Sequence, residues 1–244
     1  MNRFTPQALV VSIRLLERRL ASILEDEAMI ILEQVVAKLE GASDVWDYQI
    51  HPERPLRFKP CPIGGLRIQP DIFCKISGTA GQNPTLKEQN VVIRIWSISE
   101  SLSFRKDWDA PQLIGAIKSQ SHRRVVSRYH FDYANPGQDG PRFHFQVGGK
   151  AESNEYCWLP EVIDIPRIAH PPLDLILACE MILANFYPSE FQRLSRQPDW
   201  ISAVRKSEGA FQLGYYDLCR NTIGKASDMT KAGTLLSNLW NTPR

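Results

Sequence analysis

LRIQPDIFCKISGTAGQNPTLKEQNVVIRIWSI, residues 66–98, is the stretch on which the fold turns. Its two ends, Leu66 to Ile76 and Val91 to Ile98, are short runs of β-branched and aromatic residues with two-residue alternation, the period of a strand with one face in a core. Between them Ser77 to Asn90 is polar and carries Gly and Pro, which predicts a loop joining two strands able to pair as a hairpin. The same texture predicts strands at Val45 to Ile50, Val125 to Tyr133, Phe143 to Val147 and Tyr156 to Leu159. Asp109 to Lys118 has the make-up of one short helix.

Both flanks of this region read as helix. Thr5 followed by Pro6 is a helix start, a hydroxyl to accept a free amide proton and then a residue whose missing N–H costs nothing in the first turn. Leu9, Ile13, Leu16, Leu20 and Leu24, then Ala28, Ile31, Val35 and Leu39, recur at three- and four-residue steps with no Gly or Pro before Gly41. Unbroken, Pro6 to Glu40 makes a rod of roughly 50 Å; the alternative is a hairpin of two helices turning at Glu25 to Glu27. On the other side Pro171 and Pro172 open LDLILACEMILANFY, apolar nearly all round and so a helix packed on several sides. Ser189 with Gln192 predicts a capping-box start and Pro198 to Trp200 another, and Ala210 to Ile223 and Ser227 to Trp240 complete the helical end.

Helix, sheet, helices in that order predicts an α+β fold: a long N-terminal helix or helical hairpin, a mainly antiparallel sheet, and C-terminal helices packing on it. One domain spans 1–244, helical over 1–41, mainly β over 45–160 and helical over 171–240.

The composition narrows the classes. With 244 residues, 43% hydrophobic, 23% charged and a net charge of +2, the chain has ample core and no global field drawing it to nucleic acid or an anionic membrane. Its five cysteines, Cys61, Cys74, Cys157, Cys179 and Cys219, form no C-x-x-C pair, and such a set fits a reduced cytoplasm better than a disulfide framework or zinc clip. The six residues from Ala8 to Ile13 are too short for a signal-peptide core, and Glu17, Glu25, Asp26 and Glu27 make the start too acidic for a mitochondrial presequence. Leu173 to Leu183 is far short of a bilayer span. A cytoplasmic protein without a membrane segment is expected.

Chemistry concentrates in RYHFDYANPGQDGPRFHFQVGG, residues 128–149. Two strands flanking a Pro- and Gly-rich loop predict an antiparallel pair. Alternation puts Tyr129, Phe131 and Tyr133 with Phe143, Phe145 and Val147 on one face, and Arg128, His130 and Asp132 with Arg142, His144 and Gln146 on the other. The polar set can hold a divalent metal through His130, Asp132 and His144, with His170 as a distant fourth ligand. It can bind phosphate or another ligand through Arg128, Arg142 and Gln146. It can also exchange protons, His130 and His144 serving as base and acid in phosphodiester cleavage. Against these stands a plain solvated sheet face with charges paired across strands. No cofactor is required by any motif.

Lys118, His122, Arg123, Arg124 and Arg128 form a basic run in which Arg123, Arg124 and Arg128 can position phosphates of a nucleic acid, although a solvated loop explains it as well. Pro70-Asp71 followed by a hairpin resembles the outline of a PD-(D/E)xK nuclease core, in which a strand Asp and an E-x-K pair hold a metal. The matching strand VVIRIW has no acidic residue, so the second half is absent. Gly64-Gly65 and Gly148-Gly149 lack a phosphate-loop context and read as turns or bulges.

RYHFDY, RFHFQVGG and PRIAHPPLDLILACEMILANFYP together resemble a pattern in functionally uncharacterised bacterial proteins, some of them encoded near anti-phage defence genes. The resemblance covers about Arg128 to Pro188 and implies a bacterial cytoplasmic accessory protein without assigning a reaction. The leading expectation is therefore an accessory or protein-interaction component, self-associating as a homodimer through surplus helix surface or engaging another protein. The alternative is a nuclease-like hydrolase acting on nucleic acid or nucleotides through the His130, Asp132 and His144 face. A third class, a small-ligand sensor, needs an apolar cavity between the sheet and the core helix.

Overall fold

A computed structural model describes residues 5–63, 66–81, 85–98, 124–133, 140–148, 167–223 and 240–241. The chain is α+β. The predicted helices at Asp109 to Lys118 and Ser227 onward and the strand at Tyr156 to Leu159 lie outside the described residues.

The N-terminal periodicity forms the hairpin rather than the rod: α1 spans Pro6–Leu20 and α2 spans Asp26–Glu40. Thr5 caps α1 as expected, its Oγ1 accepting from the Ala8 amide at 3.3 Å. The break falls at 21–25 because that segment bonds to the sheet region instead of continuing the helix: Leu24 bridges to Phe58, the Glu25 amide donates to the Arg57 carbonyl at 3.0 Å, and the Lys59 amide donates to the Ile23 carbonyl at 2.6 Å. Asp26 and Glu27 then sit in the first turn of α2, where the helix dipole favours acids. The apolar residues of both helices are buried, Leu16, Leu20 and Leu32 completely, while Val11 and Ile30 remain exposed. The surplus stripe expected to seek a second copy is thus largely covered by the protein's own core.

Every described strand pair of the sheet is antiparallel. Strand β1 (Val45–Ile50), β2 (Leu56–Arg57) and β3 (Cys61–Ile63) pair in succession along one edge of β4 (Leu66–Thr79), and the order continues β5 (Thr85–Ser97), β6 (Arg124–Tyr133), β8 (Phe143–Val147) and β9 (Ile168–Ala169). A separate two-stranded piece joins β7 (Gly140–Pro141) to β10 (Trp240–Asn241). Trp240 therefore ends in a strand, not in the helix expected up to it. The short β2, β3 and β9 were not legible because two or three residues cannot display a period.

Most of Ser77 to Asn90, expected as loop, belongs to β4 and β5, which pair as far as Thr79 with Thr85. Their polarity misleads because Lys75 and Glu88 pair on the surface at 2.7 Å, whereas Gln89 is buried and used twice. The Gln89 amide donates to the Phe131 carbonyl at 3.1 Å, and its oxygen accepts from the Leu173 amide at 3.1 Å. A side chain that supplies both donor and acceptor to backbone can be buried without loss.

Helix α3 (Leu175–Phe186) is the core helix, lying across β4 and β5 and touching α1. It starts at Leu175, three residues beyond the prolines, and is capped by Asp174, whose Oδ1 accepts from the Leu177 amide at 3.0 Å. Helix α4 (Pro188–Leu194) starts at Pro188 rather than through the Ser189/Gln192 box. Helix α5 (Pro198–Ser207) starts where expected and runs through a π turn, Glu208–Gln212, into α6 (Leu213–Ile223). One continuous core joins α1, α2, α3 and α5 to the sheet face that carries Ile68, Ile72, Ile76, Val91, Ile93 and Phe131.

Candidate functional site

The two faces of the sheet carry different chemistry. Register pairs Tyr129 with Val147, His130 with Gln146, Phe131 with Phe145, Asp132 with His144 and Tyr133 with Phe143, so the face assignment made from alternation holds. The polar set also continues across β5 and β4, where Arg94 lies opposite both Arg128 and Asp71. Arg142 alone leaves the pattern: it is exposed at a bend between β7 and β8.

The polar face is not the solvated surface that the plain reading implied. Asp71, Arg94, Arg128 and His144 are buried, and His130, Asp132 and Gln146 are half-buried. Arg94 holds Asp71 by two hydrogen bonds, the Trp96 indole adds a third at 2.8 Å, and the Arg94 guanidinium lies 4.8 Å from the Phe73 ring and 5.0 Å from that of Trp96. Asp71 is thereby held in an ion pair by its register partner, and the β5 stretch VVIRIW beside it brings no acidic residue. Arg128, 6% exposed, also lies near the Phe73 ring, at 5.9 Å from its centroid. It is buried, not displayed at the surface as a phosphate-positioning residue would be; Arg123 and the Arg124 side chain lie outside the described residues.

Burial sets the protonation states around Asp132. It pushes His130 down to about 4, helped by Arg128 and His144. It pushes the Asp132 carboxyl up to about 6, against Arg167 and Arg128. It also lowers His144, although a 3.1 Å contact from Nδ1 to the Pro141 carbonyl favours the protonated ring. Burial thus raises the Asp132 carboxyl towards neutrality and favours the neutral form of both histidines, which leaves His130 a weak base. His130 Nε2 and Asp132 Oδ1 are buried without a hydrogen-bond partner among the described residues.

Although Ala169 pairs with His144, the side chain of His170 lies on the other face of the sheet. Its ring packs against Phe131 at 5.0 Å and Phe145 at 6.2 Å, both on the helix-facing side, so the sheet itself separates it from His130, Asp132 and His144. Among the described residues no three His, Cys, Asp or Glu side chains are placed to hold a metal ion. Gly148 forms the turn read from the glycine pair: its φ is 86°, and its amide donates to the Arg128 carbonyl at 2.7 Å.

On the helix-facing side lies a cleft that the sequence did not reveal. Ile93, Tyr129, Phe131 and Phe145 form its floor, Met181, Asn185 and Phe186 of α3 one wall, and His170 another, around a volume of ≈ 230 Å³. The signals were present separately, an aromatic sheet face and a helix with Asn185 among apolar residues, but unfilled volume between two elements has no sequence signature. No helix among the described residues is long and apolar enough to cross a membrane. No protein-family model matches the chain, and no curated protein or solved structure matches it either.

Proposed function

We propose that this chain is an accessory protein of a bacterial cytoplasm that works by engaging another protein chain, either a second copy or a different partner, through α6. The observation that carries the reading is the exposure of Leu213, Tyr216 and Leu218, at 40%, 52% and 38%. Leu218 lies about 140° round the helix from Leu213, so large apolar side chains face solvent on more than one side. The π turn that feeds α6 is its principal neighbour among the described elements. Large apolar side chains exposed in this way gain by being buried against a partner. The implied kinship of residues 128–188 with defence-adjacent bacterial proteins points the same way.

Light scattering across a concentration series, and affinity recovery of partners from a native lysate, test it with Leu213→Lys/Tyr216→Lys as comparison. Self-association, or a defined partner, present in the parent chain and lost in the variant is the expected result. A monomer throughout, with identical proteins recovered by both chains, overturns it.

A second reading, hydrolysis of nucleic acid or nucleotides, is favoured by the polar face: the buried His130 Nε2 and Asp132 Oδ1 have no partner among the described residues, and the Asp132 carboxyl is raised towards neutrality as a proton-transfer group requires. Its test is cleavage of labelled single- and double-stranded RNA and DNA with and without Mg2+, Mn2+ or Zn2+. Activity lost in both Asp132→Asn and His130→Ala/His144→Ala would promote this reading over the first.

A further inference from the structure

We propose that the cleft between the aromatic sheet face and α3 binds a small neutral aromatic molecule of one or two rings carrying an N–H or O–H group, a phenol- or indole-like ligand. The inference is independent of α6 and of the polar face, since the other sheet face, the core helix and His170 build the cleft.

Size comes first. A cavity of about 150 Å³ lined by apolar residues accommodates benzene; the ≈ 230 Å³ here leaves space for a second ring or a substituent. The lining favours aromatic over aliphatic occupants. Tyr129 and Phe145 stack with centroids 6.0 Å apart, Phe131 meets Phe145 at 5.1 Å, and these ring faces and edges offer offset-stacked and edge-on contacts to a further ring. No lining residue carries a formal charge at neutral pH, because burial holds His170 below its ordinary value; a charged ligand would lose its hydration without compensation.

The polar groups specify a donor. His170 Nδ1 lies 2.6 Å from the Pro171 carbonyl, which can only accept, so the proton is on Nδ1 and Nε2 is left as an acceptor. Asn185 Nδ2 donates to the Met181 carbonyl at 2.7 Å, which leaves Oδ1 as a second acceptor. Neither atom has a partner among the described residues. Two acceptors, with the Tyr129 hydroxyl as the one further polar side-chain group of the lining, favour a ligand that brings a hydrogen and disfavour a plain hydrocarbon of the same shape.

Fluorine NMR on the full chain tests this directly, with 5-fluoroindole and 4-fluorophenol as probes and fluorobenzene as the control lacking a donor. Saturable binding of the first two is expected in the micromolar to low-millimolar range, with fluorobenzene roughly three- to tenfold weaker. Met181→Trp, which fills the cleft, should weaken indole binding by at least about tenfold. Asn185→Trp, at an exposed helix position that tolerates a large side chain, closes the mouth and serves the same purpose should Met181→Trp fail to fold. His170→Phe should abolish the preference for fluorophenol over fluorobenzene while retaining the ring packing. No saturable binding of either probe up to about 5 mM overturns the site. So does unchanged affinity in a folded cleft-filling variant. Equal affinity for fluorobenzene and fluorophenol in the parent chain overturns the ligand class.

Discussion

Arg94 and Asp71 stand directly opposite each other on β5 and β4 and close a two-pronged ion pair, Nε to Oδ1 at 2.8 Å and Nη2 to Oδ2 at 2.9 Å, with 3% and 0% of each residue exposed. A carboxylate and a guanidinium out of water hold each other in place mainly because either one alone would be far worse. Arg94→Met alone should therefore destabilise the fold by about 3–5 kcal/mol, leaving the Asp71 charge buried. Arg94→Met/Asp71→Leu should recover most of that loss. Urea unfolding of the double-mutant cycle measures both, and additive losses would show the pair is not coupled.

Stability should respond to pH with opposite signs at His130 and Asp132. His130 is held near 4 in the fold against an ordinary 6.5, so its contribution is intact above 6.5 and declines as pH falls towards 4. Asp132 is held near 6 against an ordinary 3.8, so its contribution is intact below 3.8 and declines as pH rises towards 6. Each amounts to at most about 3 kcal/mol, and between about pH 4 and 6 the two oppose. Relative to the parent chain, His130→Asn should gain stability as pH falls through that window, and Asp132→Asn should gain it as pH rises. Thermal melts at half-unit steps decide it; slopes of the same sign for both variants would refute the assignment.

Asp174 joins two helices. Its Oδ1 caps α3, its Oδ2 accepts from Ser207 Oγ of α5 at 2.6 Å, and burial raises its carboxyl above the ordinary range. Asp174→Ala should cost about 2–3 kcal/mol by removing the cap and orphaning Ser207. Asp174→Asn keeps an acceptor for the cap and should cost less than half as much by denaturant midpoint.

Thiol reactivity should be graded by burial. Burial pushes the Cys74 thiol up to about 12 and Cys179 well above its ordinary value, whereas Cys219 is half-buried on α6. Iodoacetamide at pH 8 should label Cys219 ahead of Cys74 and Cys179, which react only on unfolding. Peptide mass spectrometry over a time course reads the order.

The sequence by itself determined the longer elements in outline. The Thr5-Pro6 cap, the leucine and isoleucine spacing of α1 and α2, the alternation of Val45–Ile50 and of the 128–147 pair, and the α+β order are local periodicities, and a local period survives being read one residue at a time. It also placed His130, Asp132 and His144 on a common face, because side-chain alternation in a strand is fixed by the backbone. Tertiary structure decided the rest. Leu24 and Glu25 leave the helix only because Phe58 and Arg57 await them across the fold, and Gln89 is buried only because the Phe131 carbonyl and the Leu173 amide meet it. Whether the polar face was wet or buried, which side of the sheet received His170, and whether α3 left room against Tyr129 and Phe145 depend on contacts between residues far apart in the chain. Desolvation and packing volume belong to such pairs of surfaces, and no single segment carries them.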